Sequence, residues 1–397
     1  MNRIVFICLL FMCSLRSLAQ ESPDSCTLEI SLVTCAPGSE LYSLFGHTAI
    51  RIRDTSRGMD IIYNYGTFDD TDPLFYFHFT RGIMSYSLSA ETFADFMTEY
   101  QYEHRGVVAQ ILNLNCTEKK MLYEALRINT REENRLYPYH FHTDNCTTRA
   151  GRIIEGNTTD SFHYNNILPV PGPSYRDMIH DYLYRQDQVW SAFGIDMLLG
   201  LNLDKKPSNA EAIHFLPDYL FRGMDSAKDG KKQLVLKKQT LLEFPEIKST
   251  GRILSPLVFF VCLFLITILL FIFKSNPSIT KTFQIFDIIF FSALGLTGIL
   301  MAYMWLGRVD DVCANNMNII WALPTHIVMV FFFRSRAAWV KYYFLTTALL
   351  ALFLLIGFPW WTQRMNTAVL PLLLMIVFRS FYIFQNRNHA EKPTIQG

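Results

Sequence analysis

Phe45-Gly46-His47-Thr48-Ala49-Ile50 and, much later in the chain, Asp144-Asn145-Cys146-Thr147 are the two stretches that decide how this protein is read. Around the first, 44–53 alternates apolar and polar residues as a half-buried strand does, and 60–65 repeats the pattern beyond a turn at 55–58. Around the second, Asn145 is a good N-cap, so Cys146 opens a short helix that runs to Glu155 and ends at Gly156. A strand histidine therefore precedes a cysteine at a helix start. A neutral thiol is a weak nucleophile, and both a neighbouring base and the positive end of a helix favour its thiolate. Brought alongside, His47 can take the thiol proton and later return it to a leaving group. The Cys146 and Thr147 backbone N–H groups, unpaired at a helix start, can bind an oxyanion. A third group should orient the imidazole; Asn64 on the neighbouring strand is the first choice and Tyr63 its nearest rival. Taken singly, each residue has a plainer reading: the cysteine as a small buried hydrophobe, the histidine as a structural strand residue.

The rest of the chain supplies the setting. Of 397 residues half are hydrophobic, and the net charge of +1 gives nucleic acid no purchase. The apolar residues are unevenly placed: 20–250 is mixed, whereas 251–397 carries five apolar segments, at about 253–273, 283–305, 317–333, 342–358 and 367–384. Arg3, the apolar run 4–12 and Ser17-Leu18-Ala19 read as a signal peptide over 1–19. Lys274 and Lys281, then Arg334, Arg336 and Lys341, then Arg387 and Lys392 fall after alternate segments. The positive-inside rule then puts 20–250 outside the cytoplasm and the C-terminus inside. Of the eight cysteines, Cys8 and Cys13 would leave with the signal, and export makes a disulfide such as Cys26–Cys35 possible.

Between the two motifs, periodicity predicts a helix over 90–104 capped by Ser89, a strand over 107–114 and a helix from Thr117 to about Asn134. The Pro-rich 168–173 reads as a loop. Trp190, Phe193, Met197 and Leu198 have helical spacing, facing either a core or a membrane surface. Lys231, Lys232, Lys237 and Lys238 bracket 234–236 as a solvated strand face or a headgroup contact. His140, His142 and Asp144 crowd upstream of Cys146, but histidines at i and i+2 on an extended strand more simply share a face. No metal and no cofactor is expected.

The strand motif followed by Asn145-Cys146 resembles the permuted papain-like fold of lecithin:retinol acyltransferase and its phospholipase/acyltransferase relatives, in which histidine precedes cysteine. A closer likeness covers most of the chain. Thr34-Cys35-Ala36-Pro37-Gly38, Leu41-Tyr42-Ser43-Leu44-Phe45-Gly46-His47-Thr48-Ala49, Tyr63-Asn64-Tyr65-Gly66-Thr67-Phe68 and Asp144-Asn145-Cys146-Thr147 form one set. Leu216-Pro217-Asp218-Tyr219-Leu220 and Asn318-Ile319-Ile320-Trp321-Ala322-Leu323-Pro324-Thr325-His326 extend it. Together they resemble the Bacteroidota lipoprotein N-acyltransferase family. The resemblance implies an α+β, permuted papain-like periplasmic domain over 20–250 and an all-α, five-helix transmembrane domain over 251–397, in a multi-pass bacterial inner-membrane protein. It further implies transfer of a fatty acyl chain from a membrane phospholipid, through a Cys146 thioester, to the α-amine of diacylated lipoproteins.

The expected catalytic residues are Cys146, His47 and Asn64, and the expected substrate-binding residues are Tyr42, Ser43, Tyr63, Asn145, Thr147, Arg149 and His326. Arg149, one turn beyond Cys146, is placed either to bind phosphate or to form a surface salt bridge. His326, a polar group inside an apolar segment, either lines a lipid groove or packs between spans. Three alternatives share the same residues: a cell-wall peptidase or amidase, a phospholipase passing the acyl group to water, and a non-catalytic membrane assembly or sensor protein.

Overall fold

The computed structural model describes residues 26–68, 71, 73–158, 162–229, 232–245, 254–335 and 337–390. The expected signal peptide, with Cys8 and Cys13, lies outside them, as do Lys231, Arg336 and Lys392.

Strands β1 (Leu28–Cys35), β2 (His47–Asp54), β3 (Met59–Thr67), β4 (Ser85–Thr92), β5 (Val107–Leu112), β6 (Leu136–Pro138) and β10 (Val235–Leu242) form a seven-stranded antiparallel sheet, ordered β10-β5-β1-β2-β3-β4-β6. Three two-residue strands, β7 (Phe162–His163), β8 (Lys228–Asp229) and β9 (Lys232–Gln233), form a small second sheet. Side chains alternate across a strand, so the main sheet has two apolar faces. Ile30, Leu32, Ile50, Ile52, Tyr63 and Tyr65 face one core with Leu122, Ala150, Ile154 and Leu220. Those last four belong to helices α3 (Cys116–Asn129), α4 (Cys146–Glu155) and α8 (Pro217–Ser226). Val33, Cys35, Ala49 and Ile62 face the other core with Phe96 and Tyr100 of α2 (Phe93–Tyr102).

The sheet corrects several boundaries. Helix α2 opens after Thr92, whose side chain caps the Asp95 N–H, because 85–92 pairs with β3 and stays extended through Thr92. Helix α3 is capped by Asn115 in a reciprocal box with Glu118 and ends at Asn129. The Cys26–Cys35 pairing is excluded by geometry: Cys35 closes the eight-residue strand that begins two residues after Cys26, and nine extended residues span ~30 Å. Cys26 instead neighbours Cys116, and all six described cysteines are free thiols.

Five further helices join the sheet to the apolar part: α1 (Phe75–Arg81), α5 (Tyr175–Arg185), α6 (Val189–Leu198), α7 (Asn209–Ile213) and α9 (Pro256–Ile272). The apolar part continues with α10 (Pro277–Gly307), α11 (His326–Met329), α12 (Ala338–Gly357) and α13 (Val369–Ala390). Among the described residues three helical stretches, Pro277–Gly307, Ala338–Trp360 and Val369–Asn386, are long and apolar enough to cross a membrane; Pro256–Ile272 is apolar but has 17 residues. The expected span over 317–333 is not one helix. It is a 3-10 turn (Met317–Ile320), a bend at Trp321–Thr325, the single turn of α11 and another 3-10 turn (Val330–Phe332). Pro324 has no N–H to continue a ladder. The broken backbone also leans into α10, where a Cβ on Gly298 would lie 1.8 Å from the Ala322 carbonyl oxygen. Irregular backbone is tolerated at such depth only when protein buries it, and Asn316, Asn318, Trp321, Ala322 and His326 are all buried.

Polar residues at the start of that segment and before α13 dock α6. Asn316 donates to the carbonyls of Met197 and Leu198, Asn318 to that of Asp196, and Gln363 to that of Leu199. Behind them, fully buried Arg176 bonds Asp196, Asp204 and the carbonyls of Leu199 and Gly200. On the other side of α6, Trp190 donates to the Leu254 carbonyl and Phe193 packs on Phe260 of α9. The aromatic spacing at 190–198 therefore serves a contact with the apolar helices.

Candidate active site

The site lies where the ends of β2 and β3 meet the start of α4. Gly46 holds a φ of +74°, and a Cβ there would fall 2.5 Å from the Cys35 carbonyl oxygen, so only glycine turns the chain into β2. His47 is then the first residue of β2, paired with Cys35 of β1. On β3, Gly66 at φ +96° sits in the register shift between Tyr65 and Thr67, and a Cβ there would point at the Cys146 Cβ from 3.6 Å. Asn145 caps α4 by accepting from the Thr148 N–H at 2.9 Å, while its amide donates to the carbonyls of Phe141 and Phe215. Thr147 and Thr48 hydroxyls meet at 3.3 Å and tie α4 to β2.

Three expected residues come together. His47 Nε2 lies 3.2 Å from Asn64 Oδ1, and the ring also hydrogen-bonds Cys146. Asn64 shares the sheet face of Ile62 and passes its amide N–H to Glu91 Oε1 at 2.8 Å. That second bond fixes which way the amide points: Nδ2 donates to the carboxylate, so Oδ1 faces the imidazole. The Cys146 sulfur also receives the Thr48 backbone N–H and stands 3.9 Å from Thr147 Oγ1.

Burial opposes charge on both groups, raising the Cys146 thiol and lowering the His47 imidazole. The attraction and hydrogen bond between them outweigh it, so the thiol is held below its ordinary value and the imidazole above its own. The contact therefore favours the thiolate and the imidazolium relative to the same groups held apart. Nearby Cys35 is pushed up to about 12 by burial, which outweighs the hydrogen bond from Tyr100 and the nearby Arg105 charge. Iodoacetamide should therefore alkylate Cys146 at pH values below the usual thiol range near ~8.5, and Cys35 hardly at all. The rate should fall only as pH drops through the depressed thiol pKa, and His47→Ala should move that midpoint upward. Peptide-resolved mass spectrometry checks this; a native midpoint at or above the ordinary thiol value would refute the ion pair.

Cys146 and His47 open on a cavity of about 350 Å³. Its walls are largely aromatic and aliphatic: Phe45, Phe68, Tyr86, Tyr139 and Phe141 from the sheet part, with Met304 and Val312 from α10 and the loop after it. Burial, followed by the Cys146 charge, pushes the Tyr86 phenol up to about 12 and that of Tyr139 well above its ordinary value. Arg308, at the cavity edge, grips Asp310 and donates to the Phe79 carbonyl, which fastens α1 against the end of α10.

The other expected site residues are distributed differently. Tyr42, 65% exposed, lines the cavity with Asn145 and Thr147, although the polar atoms of the Asn145 side chain are engaged in the cap. Ser43 is buried and donates to the Glu40 carbonyl. Tyr63 points to the opposite sheet face from Asn64 and packs in the core. Arg149 forms a two-bond ion pair with Asp144 at 2.8 and 2.7 Å and stacks over Tyr137, so the salt bridge is the arrangement present. His326 is fully buried, bonded to the Tyr343 hydroxyl at 2.7 Å and packed on Phe291, so packing between helices is its place. His142 approaches Asp311, away from Asp144.

Sequence reasoning missed Glu91, whose proximity to Asn64 depends on strand register, and Arg308, which chain distance separates from the motifs. The aromatic run Tyr137-Pro138-Tyr139-His140-Phe141 was a visible signal for the cavity wall.

Two family models match the chain. Residues 16–181 match the Lnb N-terminal periplasmic domain, and residues 248–390 match the Lnb transmembrane domain. Neither the curated proteins nor the solved structures give a match. With its antiparallel α+β part, its apolar helices and both family domains in order, the chain belongs to the Lnb family of lipoprotein N-acyltransferase-like proteins, membrane proteins with a periplasmic N-terminal domain.

Proposed function

We propose that this protein is a lipoprotein N-acyltransferase working by a Cys146 thioester. The supporting observation is the Cys146–His47–Asn64 alignment opening on an apolar cavity to which the end of a membrane-length helix contributes. An acyl chain rising from a bilayer along α10 meets the sulfur without crossing water. The Cys146 thiolate attacks a phospholipid ester carbonyl, and the oxyanion is held by the N–H groups at the start of α4. Imidazolium His47 gives its proton to the departing lysophospholipid alkoxide, leaving the acyl chain as a thioester. The α-amine of a diacylglyceryl-cysteine then attacks; His47 takes the amine proton, and the thiolate departs. Asn64 holds the imidazole with Nε2 occupied, so that the other ring nitrogen serves sulfur and substrate. In this assignment 20–250 is the periplasmic catalytic domain, 251–397 spans the inner membrane, and the C-terminus is cytoplasmic.

The test uses purified full-length protein with phospholipid vesicles, a diacylated lipopeptide and, separately, peptidoglycan. Triacylated lipopeptide and stoichiometric lysophospholipid are expected, with ping-pong kinetics. Release of muropeptides without acyl transfer would assign the site to a cell-wall peptidase, and free fatty acid as the sole acyl product would make it a phospholipase.

A further inference from the structure

The far end of the apolar helices holds a second cavity, of about 480 Å³, whose walls combine cations with aromatic rings. Arg379 of α13 lines it and is fully buried. Its Nε and Nη2 donate to the two carboxylate oxygens of Asp287 on α10, each at 2.8 Å, and its guanidinium lies over the Phe283 ring at 4.2 Å. Nη1 is buried yet has no hydrogen-bond partner among the described residues. Leaving a buried donor on a charged group without an acceptor is costly. Lys274, Arg334 and Lys341 line the same cavity, whereas Asp287 is the one carboxylate among its described lining residues and is already engaged. Among the described lining residues Lys274, Arg334 and Arg379 therefore outnumber the one carboxylate, a surplus of positive charge. Two of its apolar lining residues, Phe331 and Ile288, are 82% and 42% exposed.

We propose that this cavity binds the phosphate of an anionic phospholipid, with Arg379 Nη1 as a donor and the acyl chains leaving along Phe331 and Ile288. A phosphate supplies acceptor oxygens and the missing negative charge together, and arginine is suited to it geometrically. The position is consistent with a headgroup depth. From Phe283, in this cavity, to Met304, beside Cys146, α10 rises roughly 31 Å at ~1.5 Å per residue, close to one hydrocarbon core of ~30 Å. The lipid therefore sits in the leaflet opposite the catalytic cavity, where basic pockets between helices hold anionic headgroups. It acts as a structural ligand bridging α10, α12 and α13, and does not depend on the reaction at Cys146.

The test is thermal unfolding of the full chain in nanodiscs of phosphatidylcholine alone or with phosphatidylglycerol, alongside native mass spectrometry of retained lipid. Phosphatidylglycerol should raise the midpoint by several degrees and remain bound after detergent extraction. Lys274→Gln with Lys341→Gln, which leaves the Arg379–Asp287 pair intact, should lose most of that shift. Lys237→Gln, on the exposed strand β10, should keep it. Inorganic phosphate added to the phosphatidylcholine discs separates the sources: no shift supports the lipid, and a full shift overturns it in favour of free phosphate. Equal midpoints in the two disc types with no retained anionic lipid, or an unchanged shift in the double variant, would also overturn the site.

Discussion

Cys146→Ala is expected to reduce acyl transfer by on the order of 10⁴-fold or more, while leaving the unfolding midpoint within a few degrees of native. The sulfur is the only atom of the protein that bonds to the acyl carbon in the proposed reaction, so no neighbour can take its place. A thioester adduct should be trapped by acid quench and mass spectrometry in the native protein and be absent from the variant. Cys146→Ser is a stricter test, because it keeps the volume and loses the depressed pKa. A hydroxyl beside His47 lacks the ion pair that holds the thiolate, so serine should also be inactive. Retention of full acylation by Cys146→Ser would end the thioester hypothesis, and a non-catalytic role for the packed cysteine would then gain ground.

Arg176→Met should lower stability by about 3–5 kcal/mol, the cost of removing one partner from a buried ionic network. Arg176 is fully buried between Asp196 and Asp204 and also donates to two backbone carbonyls. Methionine fills a similar volume but leaves two carboxylates facing each other without their shared cation. Asp196 keeps His180 and Asn366, which moderates the effect without removing it. A domain is commonly stable by only ~5–15 kcal/mol, so the loss should be plain in a denaturant or thermal midpoint. Because Asp196 lies on α6, the helix that Asn316, Asn318 and Gln363 hold, the variant should also expose the junction between sheet and apolar helices to protease. The exposed Arg364–Asp177 pair, broken by Arg364→Gln, should cost within ~1 kcal/mol by comparison. A loss of under ~1 kcal/mol in Arg176→Met would show that the network is not what holds α6.

Local patterns carried far in some elements and stopped short in others. Asn145, Cys146 and Gly156 specify the helix and its cap, because capping depends on a few adjacent residues. The alternation in β2 and β3 was equally plain, since one strand face is buried and the period is two. The helix expected over 90–104 starts only at Phe93 because 85–92 contains residues acceptable in either state, and pairing with β3 and β6 holds them extended. The 317–333 segment looks like a span by apolarity alone. Its break follows from Pro324 together with a contact to Gly298, a residue outside the window that hydropathy sums.

For the site, residue type and order were enough to single out His47 and Cys146, because activating a thiol requires chemistry that few side chains supply. Choosing Asn64 over Tyr63 needed the strand's parity, and the structure turns Tyr63 into the opposite core. Glu91 was beyond reach without the β3–β4 register, and Arg149 was ambiguous until Asp144 occupied it. The sequence by itself determined the elements bearing the two reactive groups, the α+β character of the first part and the apolarity of the second. Only the tertiary structure decided what surrounds those groups: which amide faces the imidazole, which helix end walls the cavity, and where Arg379 Nη1 is left without an acceptor. Caps and periodicities are set by neighbours along the chain, whereas pKa shifts, cavity walls and orphaned donors are set by neighbours in space.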